Sequence, residues 1–213
     1  KRPYILYTTG MASDFHDENR IVEEVIRFIK ELKVKIRPQI VIRTYIKGTS
    51  KEMLRLAEKY KNDLDVFFPP ILWDPIWVMP LNHDLYVYTN LIRYASLGIN
   101  AASTVSLELM MFKKLVINIG FEPPGSDLPD WCKFSRHVEY EHYKPLVISG
   151  SVIVARSIEE LNNYIFQSLG RSNEVRSQQE KFVAEFFDKK LDRSSASRMA
   201  KTLLKISKAE NNV

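Results

Sequence analysis

Hydrophobic and polar positions along this chain follow two alternating periods. Short runs of β-branched, leucine and aromatic residues predict strands, and stretches with apolar residues every three or four positions predict helices between them. The predicted strands cover residues 4–8, 40–46, 66–68, 97–101, 115–119 and 147–154. This alternation predicts an α/β fold: a Rossmann-like, doubly wound parallel sheet of about six strands with helices on both faces.

Several polar residues mark the expected helix starts. Asp17 and Ser50 precede amphipathic stretches and can accept hydrogen bonds from the free N–H groups there. Residues 157–160 (Ser-Ile-Glu-Glu) form a capping box. Gly98 is expected to end a helix that begins near Asn82 or Asp84. The last two predicted helices cover residues 174–187 and 194–206.

Two hydroxyl-rich turns are expected to share one crevice. In the doubly wound order 3-2-1-4-5-6, the first and fourth strands are neighbours. The turn at residues 8–10 follows the first strand, and the turn at residues 102–104 follows the fourth. Because the carboxyl ends of parallel strands lie at one edge of the sheet, both turns line that edge.

The second of these turns suits phosphate. Ser103 and Thr104 open a helix directly after a buried strand, where free N–H groups and the positive end of the helix dipole favour an anion. Thr9 and Gly10 could add N–H groups from across the crevice. The alternative for Ser103 is an ordinary helix cap. Both interpretations stay open at this point.

Charged and aromatic residues near the crevice also have two interpretations. Glu108 is the only charged residue between positions 94 and 112, one turn beyond Thr104, and either holds ribose hydroxyls or is a solvated helix charge. Arg43 and Lys47 either neutralise a pyrophosphate or simply end a strand. The Trp73, Trp77 and Pro80 loop either stacks on a base or covers the core, and the cluster at 16–18 (His-Asp-Glu) either titrates near a substrate or starts a helix.

Composition and charge exclude several classes of protein. Hydrophobic residues make up 45% of 213 residues, enough for a substantial core, and no uncharged apolar run approaches the roughly 20 residues of a membrane span. The net charge of +5 comes without a basic run interleaved with aromatic residues. We therefore expect no nucleic-acid partner, and an anionic small ligand or an anionic membrane surface instead.

Motifs for common cofactors and metals are missing from the sequence. Cys132 is the single cysteine, which fits a reducing cytoplasm and leaves no cysteine-based metal site. There is no Gly-x-Gly-x-x-Gly or Walker sequence, and His83, His137 and His142 lack the spacing of a zinc site. We expect neither a cofactor nor a metal. Because the chain begins Lys1-Arg2-Pro3 without methionine, we expect it to be part of a longer protein.

Two stretches carry a resemblance to a known family. Residues 99–121 (INAASTVSLELMMFKKLVINIGF) and 147–165 (VISGSVIVARSIEELNNYI) resemble the C-terminal, donor-binding domain of bacterial GT-B glycosyltransferases. The enzymes of cell-surface polysaccharide synthesis are the most similar. There is a looser similarity to CDP-glycerol glycerophosphotransferases and UDP-N-acetylglucosamine 2-epimerases.

The resemblance implies roles for particular residues. Ser103 and Thr104 match the family's diphosphate-binding turn, and Glu108 matches the acidic residue that holds the donor ribose. The segment 78–81, which contains Pro80 and Leu81, matches the one whose backbone reads the base, and Gly10 matches a glycine-containing turn. Where relatives often have Arg-x-His-Pro, this chain has Arg43-Thr44-Tyr45-Ile46, which argues against a CMP-type donor.

The resemblance also implies an activity and partners. Residues 1–213 would form a single domain that binds a nucleotide-diphosphate sugar without a metal. A glycan or lipid-linked acceptor would bind to an N-terminal domain missing from this chain, together with the catalytic base. Such an enzyme would be cytoplasmic, with peripheral association at the inner face of the membrane. The alternatives are an epimerase or glycerophosphotransferase relative, and a non-enzymatic nucleotide-binding module.

Overall fold

Six parallel strands form the sheet that the hydrophobic pattern predicts. In this computed structural model, the described residues are 2–45, 48–74, 76–77, 79–169, 174–187 and 194–210. The strands are numbered in chain order: β1 (Tyr4–Thr8), β2 (Gln39–Arg43), β3 (Val66–Phe67), β4 (Trp73–Asp74), β5 (Met79–Pro80), β6 (Leu97–Asn100), β7 (Leu115–Ile119) and β8 (Ile153–Ala155). The sheet order is β3-β2-β1-β6-β7-β8, and β4 and β5 form a separate antiparallel pair. With that pair set aside, the order is the predicted 3-2-1-4-5-6.

Helices connect the strands and cover both faces of the sheet. They are α1 (Glu18–Glu31), α2 (Lys51–Lys59), α3 (Asn82–Tyr94), α4 (Val105–Met111), α5 (Phe134–His137), α6 (Lys144–Ile148), α7 (Ile158–Ser168), α8 (Glu174–Phe186) and α9 (Ser195–Glu210). A short 3-10 helix spans Asp130–Cys132. This architecture is the Rossmann-like, doubly wound α/β fold that the sequence predicts.

Alternate residues of each strand contribute to two separate hydrophobic cores. Ile5 and Tyr7 of β1 pack in the core that includes residues of α1, α2 and α7. Leu6 lies between them in sequence and packs in the other core, with residues of α3, α4 and α6. Because both faces are buried, the strands read as nearly continuous apolar runs. Burial of each large side chain contributes about 1.5–3 kcal/mol as an upper estimate.

Two of the predicted helix caps are confirmed. The Ser50 side chain accepts a hydrogen bond from the Met53 N–H at 3.0 Å. Ser157 caps α7 by accepting from the Glu160 N–H at 3.2 Å. The Glu160 carboxylate accepts from the N–H of Arg156, the residue before the cap, at 2.8 Å. Each cap satisfies one backbone donor that the first helical turn leaves unpaired.

Three predictions of local structure are wrong. Asp17 precedes α1 but makes no side-chain cap, because its backbone is left-handed with φ at 57°. Residues 147–154 are not one strand: α6 runs to Ile148, and β8 begins only at Ile153. Gly150 lies between these elements with φ at 68°, a conformation that glycine adopts without strain. Gly98 does not end α3, which stops at Tyr94.

The position of Gly98 has a packing reason. It lies inside β6, and a Cβ atom built there would come within 2.2 Å of Leu109 Cδ1 and 3.0 Å of Leu109 Cγ. Leu109 of α4 is fully buried, so it has little room to move. The absence of a side chain at position 98 therefore lets α4 lie close against the sheet.

We expect Gly98→Ala to lower the free energy of unfolding by about 1–3 kcal/mol, as overpacking of a dense core typically does. The same change in a Leu109→Ala background should cost much less, because the new methyl group enters the space that leucine leaves. Urea unfolding of the wild type, both single variants and the double variant measures this difference. Equal losses in the two backgrounds would contradict the packing explanation.

Candidate functional site

A cavity opens at the carboxyl edge of the sheet, beside the ends of β1 and β2. Its volume is about 230 Å³. The lining residues come from the strand ends, the β4–β5 segment and helices α3 and α4: Thr8, Thr9, Arg43, Thr44, Tyr45, Ile71, Trp73, Pro80, Asp84, Leu85, Tyr88 and Val105. This edge is where open α/β sheets bind their ligands.

Strand pairing brings the two predicted turns to this edge. Thr8 at the end of β1 pairs with Arg43 of β2 on one side and with Asn100 of β6 on the other. The turn at residues 8–10 and the turn at residues 102–104 therefore start from level strand ends. Thr9 from the first turn and Val105 just after the second both line the cavity.

The first turn is held by hydrogen bonds within the chain. The Thr9 N–H donates to the Arg43 carbonyl at 3.0 Å, and Thr9 Oγ1 accepts from the Tyr45 N–H at 2.9 Å. The Gly10 N–H donates to Glu18 Oε2 at 2.9 Å. These two backbone donors are thus occupied, which corrects the expectation that they are free for a ligand.

Glu18 is a buried carboxyl group behind this turn. Its second oxygen, Oε1, accepts from the Tyr7 hydroxyl at 3.0 Å. Burial raises the pKa of Glu18 to about 8, and the hydrogen bonds from Gly10 and Tyr7 oppose this shift only in part. Phe15 packs against the same turn, since a Cβ at position 10 would lie 1.9 Å from its ring. A side chain at position 10 would therefore force the Phe15 ring to move.

In the second turn, Ser103 is bonded on both sides. Its N–H donates to Asn100 Oδ1 at 3.0 Å, and its Oγ accepts from the Val105 N–H at 3.3 Å. The Ser103 side chain thus accepts from a backbone N–H of the first turn of α4, as the capping interpretation expects. Ala102 has φ at 43°, a left-handed conformation that strains a residue with a Cβ.

Thr104 differs from Ser103 in having free donor groups. It is exposed, and its side chain makes no cap hydrogen bond at α4. Its backbone N–H finds no acceptor among the residues that the structure describes. Neither Thr104 nor Ser103 belongs to the cavity lining, which Val105 reaches.

A buried polar network fixes the second turn from below. Asn100 Oδ1 accepts from the Ser106 hydroxyl at 3.2 Å and from Asn118 Nδ2 at 2.9 Å, besides the turn N–H. The Tyr143 hydroxyl bonds Ser106 Oγ at 2.8 Å and Asn118 Oδ1 at 2.9 Å. All four residues are buried. Such a network orients the Asn100 carboxamide and so fixes the turn.

Glu108 stands behind the cavity wall. Its Oε2 accepts a hydrogen bond of 2.6 Å from the hydroxyl of Tyr88, which lines the cavity. Burial raises the pKa of Tyr88, and the neighbouring Glu108 charge raises it further. The Glu108 side chain is therefore partly buried and bonded, and it is not a freely solvated helix charge.

Arg43 and Asp84 form a buried ion pair under the cavity. Arg43 Nη2 lies 2.5 Å from Asp84 Oδ2, with side chains only 8% and 3% exposed. Arg43 Nη1 also donates to the Pro70 carbonyl at 3.1 Å. The guanidinium carbon of Arg43 lies 5.9 Å from the centre of the Tyr88 ring. The predicted pyrophosphate role of Arg43 stays a prediction, for a residue that already has an anionic partner.

Asp84 is a site residue that the sequence identified only as a possible helix start. Besides Arg43, its carboxylate accepts from the Leu72 N–H at 2.9 Å and from Trp73 Nε1 at 3.0 Å. Burial opposes its ionisation, but the hydrogen bonds from Arg43 and Leu72 hold the pKa of Asp84 below its usual value. Asp84 thus joins β2, the β4–β5 segment and α3.

The other predicted site residues lie in different positions. Pro80 and Trp73 line the cavity, whereas Leu81 is exposed and its N–H donates to the Leu72 carbonyl at 3.0 Å. Trp77 is 75% exposed and does not cover the core. His16, which belongs to the cluster that either titrates near a substrate or starts a helix, is exposed, with its ring 5.7 Å from Trp131. Lys47 and Val78 lie outside the described residues.

The described part of the chain holds no group of three histidine, cysteine or acidic residues placed to bind a metal. Within the same part, no helix combines the length and apolar character needed to cross a membrane.

The sheet order and the carboxyl-edge cavity define a Rossmann-like half of the GT-B fold, and solved structures share it. S. aureus MnaA, in a co-structure with UDP, is 13% identical over 84% of this chain, with a TM-score of 0.53. Methanocaldococcus jannaschii UDP-GlcNAc 2-epimerase, in complex with UDP-GlcNAc and UDP, is 16% identical over 87%, with a TM-score of 0.51.

A glycosyltransferase domain is also similar. The C-terminal domain of a Francisella tularensis glycosyl transferase group 1 family protein, LpcC, is 12% identical over 90% of this chain and 89% of its own length, with a TM-score of 0.50. By contrast, the chain spans 39% of S. aureus MnaA and 46% of the M. jannaschii enzyme. At these identities the similarity shows the fold alone. No protein-family model and no curated protein sequence matches the chain.

We expect Asp84→Ala to lower the free energy of unfolding by about 3–5 kcal/mol, because it leaves the Arg43 charge buried without a partner. Glu141→Ala is the matched control: it removes an exposed carboxylate paired with Lys144 and should cost under about 1 kcal/mol. Comparable losses in urea unfolding for both variants would rule out a structural role for the buried pair.

A second prediction concerns pH. The ordinary pKa of Glu18 is 4.5, and its folded-state pKa is about 8. Because the pKa is higher in the folded state, protonation of Glu18 stabilises the folded protein. This stabilisation is fully present below pH 4.5 and is lost as the pH rises through 8. The wild type should therefore lose up to about 1.4 kcal/mol per pH unit in this window relative to Glu18→Gln. The measurement is the free energy of unfolding in urea, taken from pH 5 to 8.5 for both proteins. If this free energy changes with pH in the same way in the wild type and in Glu18→Gln, the raised pKa of Glu18 is refuted.

Proposed function

We propose that this chain is the donor-binding domain of a glycosyltransferase that moves a sugar from a nucleotide-diphosphate donor to a cell-surface glycan acceptor. The observation that carries the proposal is the cavity at the carboxyl edge of the sheet, with Glu108 directly behind its wall. The position matches the place where doubly wound sheets bind nucleotides. The GT-B fold of the chain and the co-structures of similar proteins with UDP support it.

The lining of the cavity suits the base and ribose of a nucleotide. Trp73 and Pro80 give one apolar wall, and the Pro80 carbonyl would accept a hydrogen bond from the edge of the base. The Leu81 N–H and carbonyl are bonded to Leu72 and Leu85, so Leu81 would support this segment without contacting the base. Ribose hydroxyls would replace the Tyr88 hydroxyl on Glu108, or share the carboxylate with it. A carboxylate accepts from two hydroxyl groups at once, so both arrangements are chemically possible.

The diphosphate would lie at the start of α4. The Thr104 N–H and hydroxyl, which bond no other described residue, are donors, and the helix dipole adds positive potential. Thr9 lies across the crevice, while the Arg43 charge contributes at longer range. These groups would stabilise the negative charge that develops on the leaving diphosphate. No metal is needed for that step.

The catalytic base and the acceptor site belong to a further domain in this proposal. The chain would act as one domain over residues 1–213, and a glycan or lipid-linked acceptor would bind the partner domain. We place the enzyme in the cytoplasm at the inner face of the membrane, where the net charge of +5 would favour anionic lipids.

A second candidate is a sugar-nucleotide epimerase. It is favoured by the two UDP-bound solved structures, one of which is a UDP-GlcNAc 2-epimerase. An epimerase changes the sugar of its bound substrate and needs no acceptor. Incubation of the full-length protein with UDP-GlcNAc alone, followed by analysis of the sugar, separates the two candidates.

Calorimetry with UDP-, GDP-, CDP- and CMP-linked sugars tests the proposal. We expect one nucleotide-diphosphate sugar to bind, and Glu108→Ala to weaken it about 10–100-fold through loss of hydrogen bonds to a charged group. Glu58→Ala is the control, since this carboxylate lies on α2 and pairs with the exposed Lys61. If no sugar nucleotide binds, or if both variants bind equally well, the donor-binding proposal fails.

A further inference from the structure

The Glu18 carboxyl group has a position that helix capping does not explain. It is the first residue of α1, yet its side chain turns back to the Gly10 turn and is only 4% exposed. Each of its oxygens has one partner: the Gly10 N–H at 2.9 Å and the Tyr7 hydroxyl at 3.0 Å. The carboxyl group is thus hydrogen-bonded directly to the backbone of the turn beside the cavity.

The surroundings of Glu18 offer no positive charge among the described residues. Tyr7 is the titratable side chain that contacts it. The other residues around the same small void carry no charge: Thr9, Gly10, Ala12, Phe15, Gly48, Thr49, Ser50 and Met53. The titratable side chains of its own loop are those of Asp14, His16 and Asp17. An ionised carboxylate there depends on two hydrogen bonds, and burial favours the neutral acid.

A bound diphosphate would add negative charge on the cavity side of this turn. Like charges disfavour each other's ionised forms, and the effect is large where water is excluded. On the basis of the proposed function, we propose that Glu18 takes up a proton when a sugar nucleotide binds beside the Gly10 turn, so that ligand affinity is coupled to pH. Glu18 is then a positioning residue, since it acts through Gly10 and does not touch the ligand.

The direction of the effect follows from linkage. At pH 6.5 Glu18 is already protonated in the free protein, whose Glu18 pKa is about 8, so binding needs no proton. At pH 8.5 the free carboxylate is largely ionised and must be protonated on binding. The dissociation constant should therefore rise with pH above about 8, by at most about tenfold per unit.

Calorimetry in buffers of different ionisation enthalpy measures the proton uptake. The probe is UDP-N-acetylglucosamine, or whichever sugar nucleotide of the panel binds most tightly, because its phosphates are diesters of constant charge in this range. We expect near-zero uptake at pH 6.5 and a substantial fraction of one proton at pH 8.5. Glu18→Gln should bind with no uptake from this group, whereas Glu141→Gln, an exposed control, should behave as the wild type.

The outcomes separate this inference from the proposed function. Binding with the same proton uptake in the wild type and Glu18→Gln would overturn the coupling and leave the donor-binding proposal intact. Absence of binding at both pH values would overturn the donor-binding proposal and the coupling with it. If Glu18→Gln does not fold, carboxyl ¹³C NMR of the wild type replaces it. A Glu18 midpoint that moves to higher pH on ligand addition supports the coupling, and an unmoved midpoint refutes it.

Discussion

The pairing of β1 with β6 is the interaction on which the crevice depends. These strands are far apart in sequence, but Thr8 and Asn100 end them at the same level. The hydrogen bonds of a parallel pair fix this register, and a slip by one residue would turn every buried side chain toward the opposite core. The pairing of β1 with β6 thus fixes the positions of both turns, of the cavity and of the start of α4.

Three charged side chains around the crevice are already bonded within the chain. Arg43 has Asp84, Glu108 has Tyr88, and Glu18 has Gly10 and Tyr7. A ligand would meet a site whose side chains are oriented before it arrives, which lowers the entropy lost on binding. It would also have to supply replacements for any internal hydrogen bond that it displaces.

The fold follows largely from the hydrophobic pattern. The β-branched runs predicted the six strands, and the strand–helix alternation predicted a parallel sheet. The structure confirms the predicted strand order. Ser50 and Ser157 were identifiable as caps because a cap depends on residues within four positions. The prediction for residues 147–154 was wrong because a short apolar run fits either a strand or a buried helix. In the structure the run is divided at Gly150, whose backbone is left-handed.

The site was harder to predict than the fold. Thr9, Arg43 and Pro80 were predicted from their places at strand ends and in the Trp-rich loop, and all three line the cavity; their roles toward a ligand stay predictions. Asp84 could not be recognised, since its role depends on partners 41, 12 and 11 residues away. The occupied N–H groups of the first turn also escaped prediction, because a sequence shows which donors exist but not which acceptors reach them.

The close fit of Leu109 over Gly98 has a consequence for sequence divergence. The space available at this contact is shared, because a Cβ at position 98 would occupy the volume of the leucine methyl group. In chains descended from the same ancestor, a larger residue on β6 is tolerable only beside a smaller one on α4. The two positions should therefore covary, and their joint pattern would mark how closely α4 sits against the sheet in each descendant.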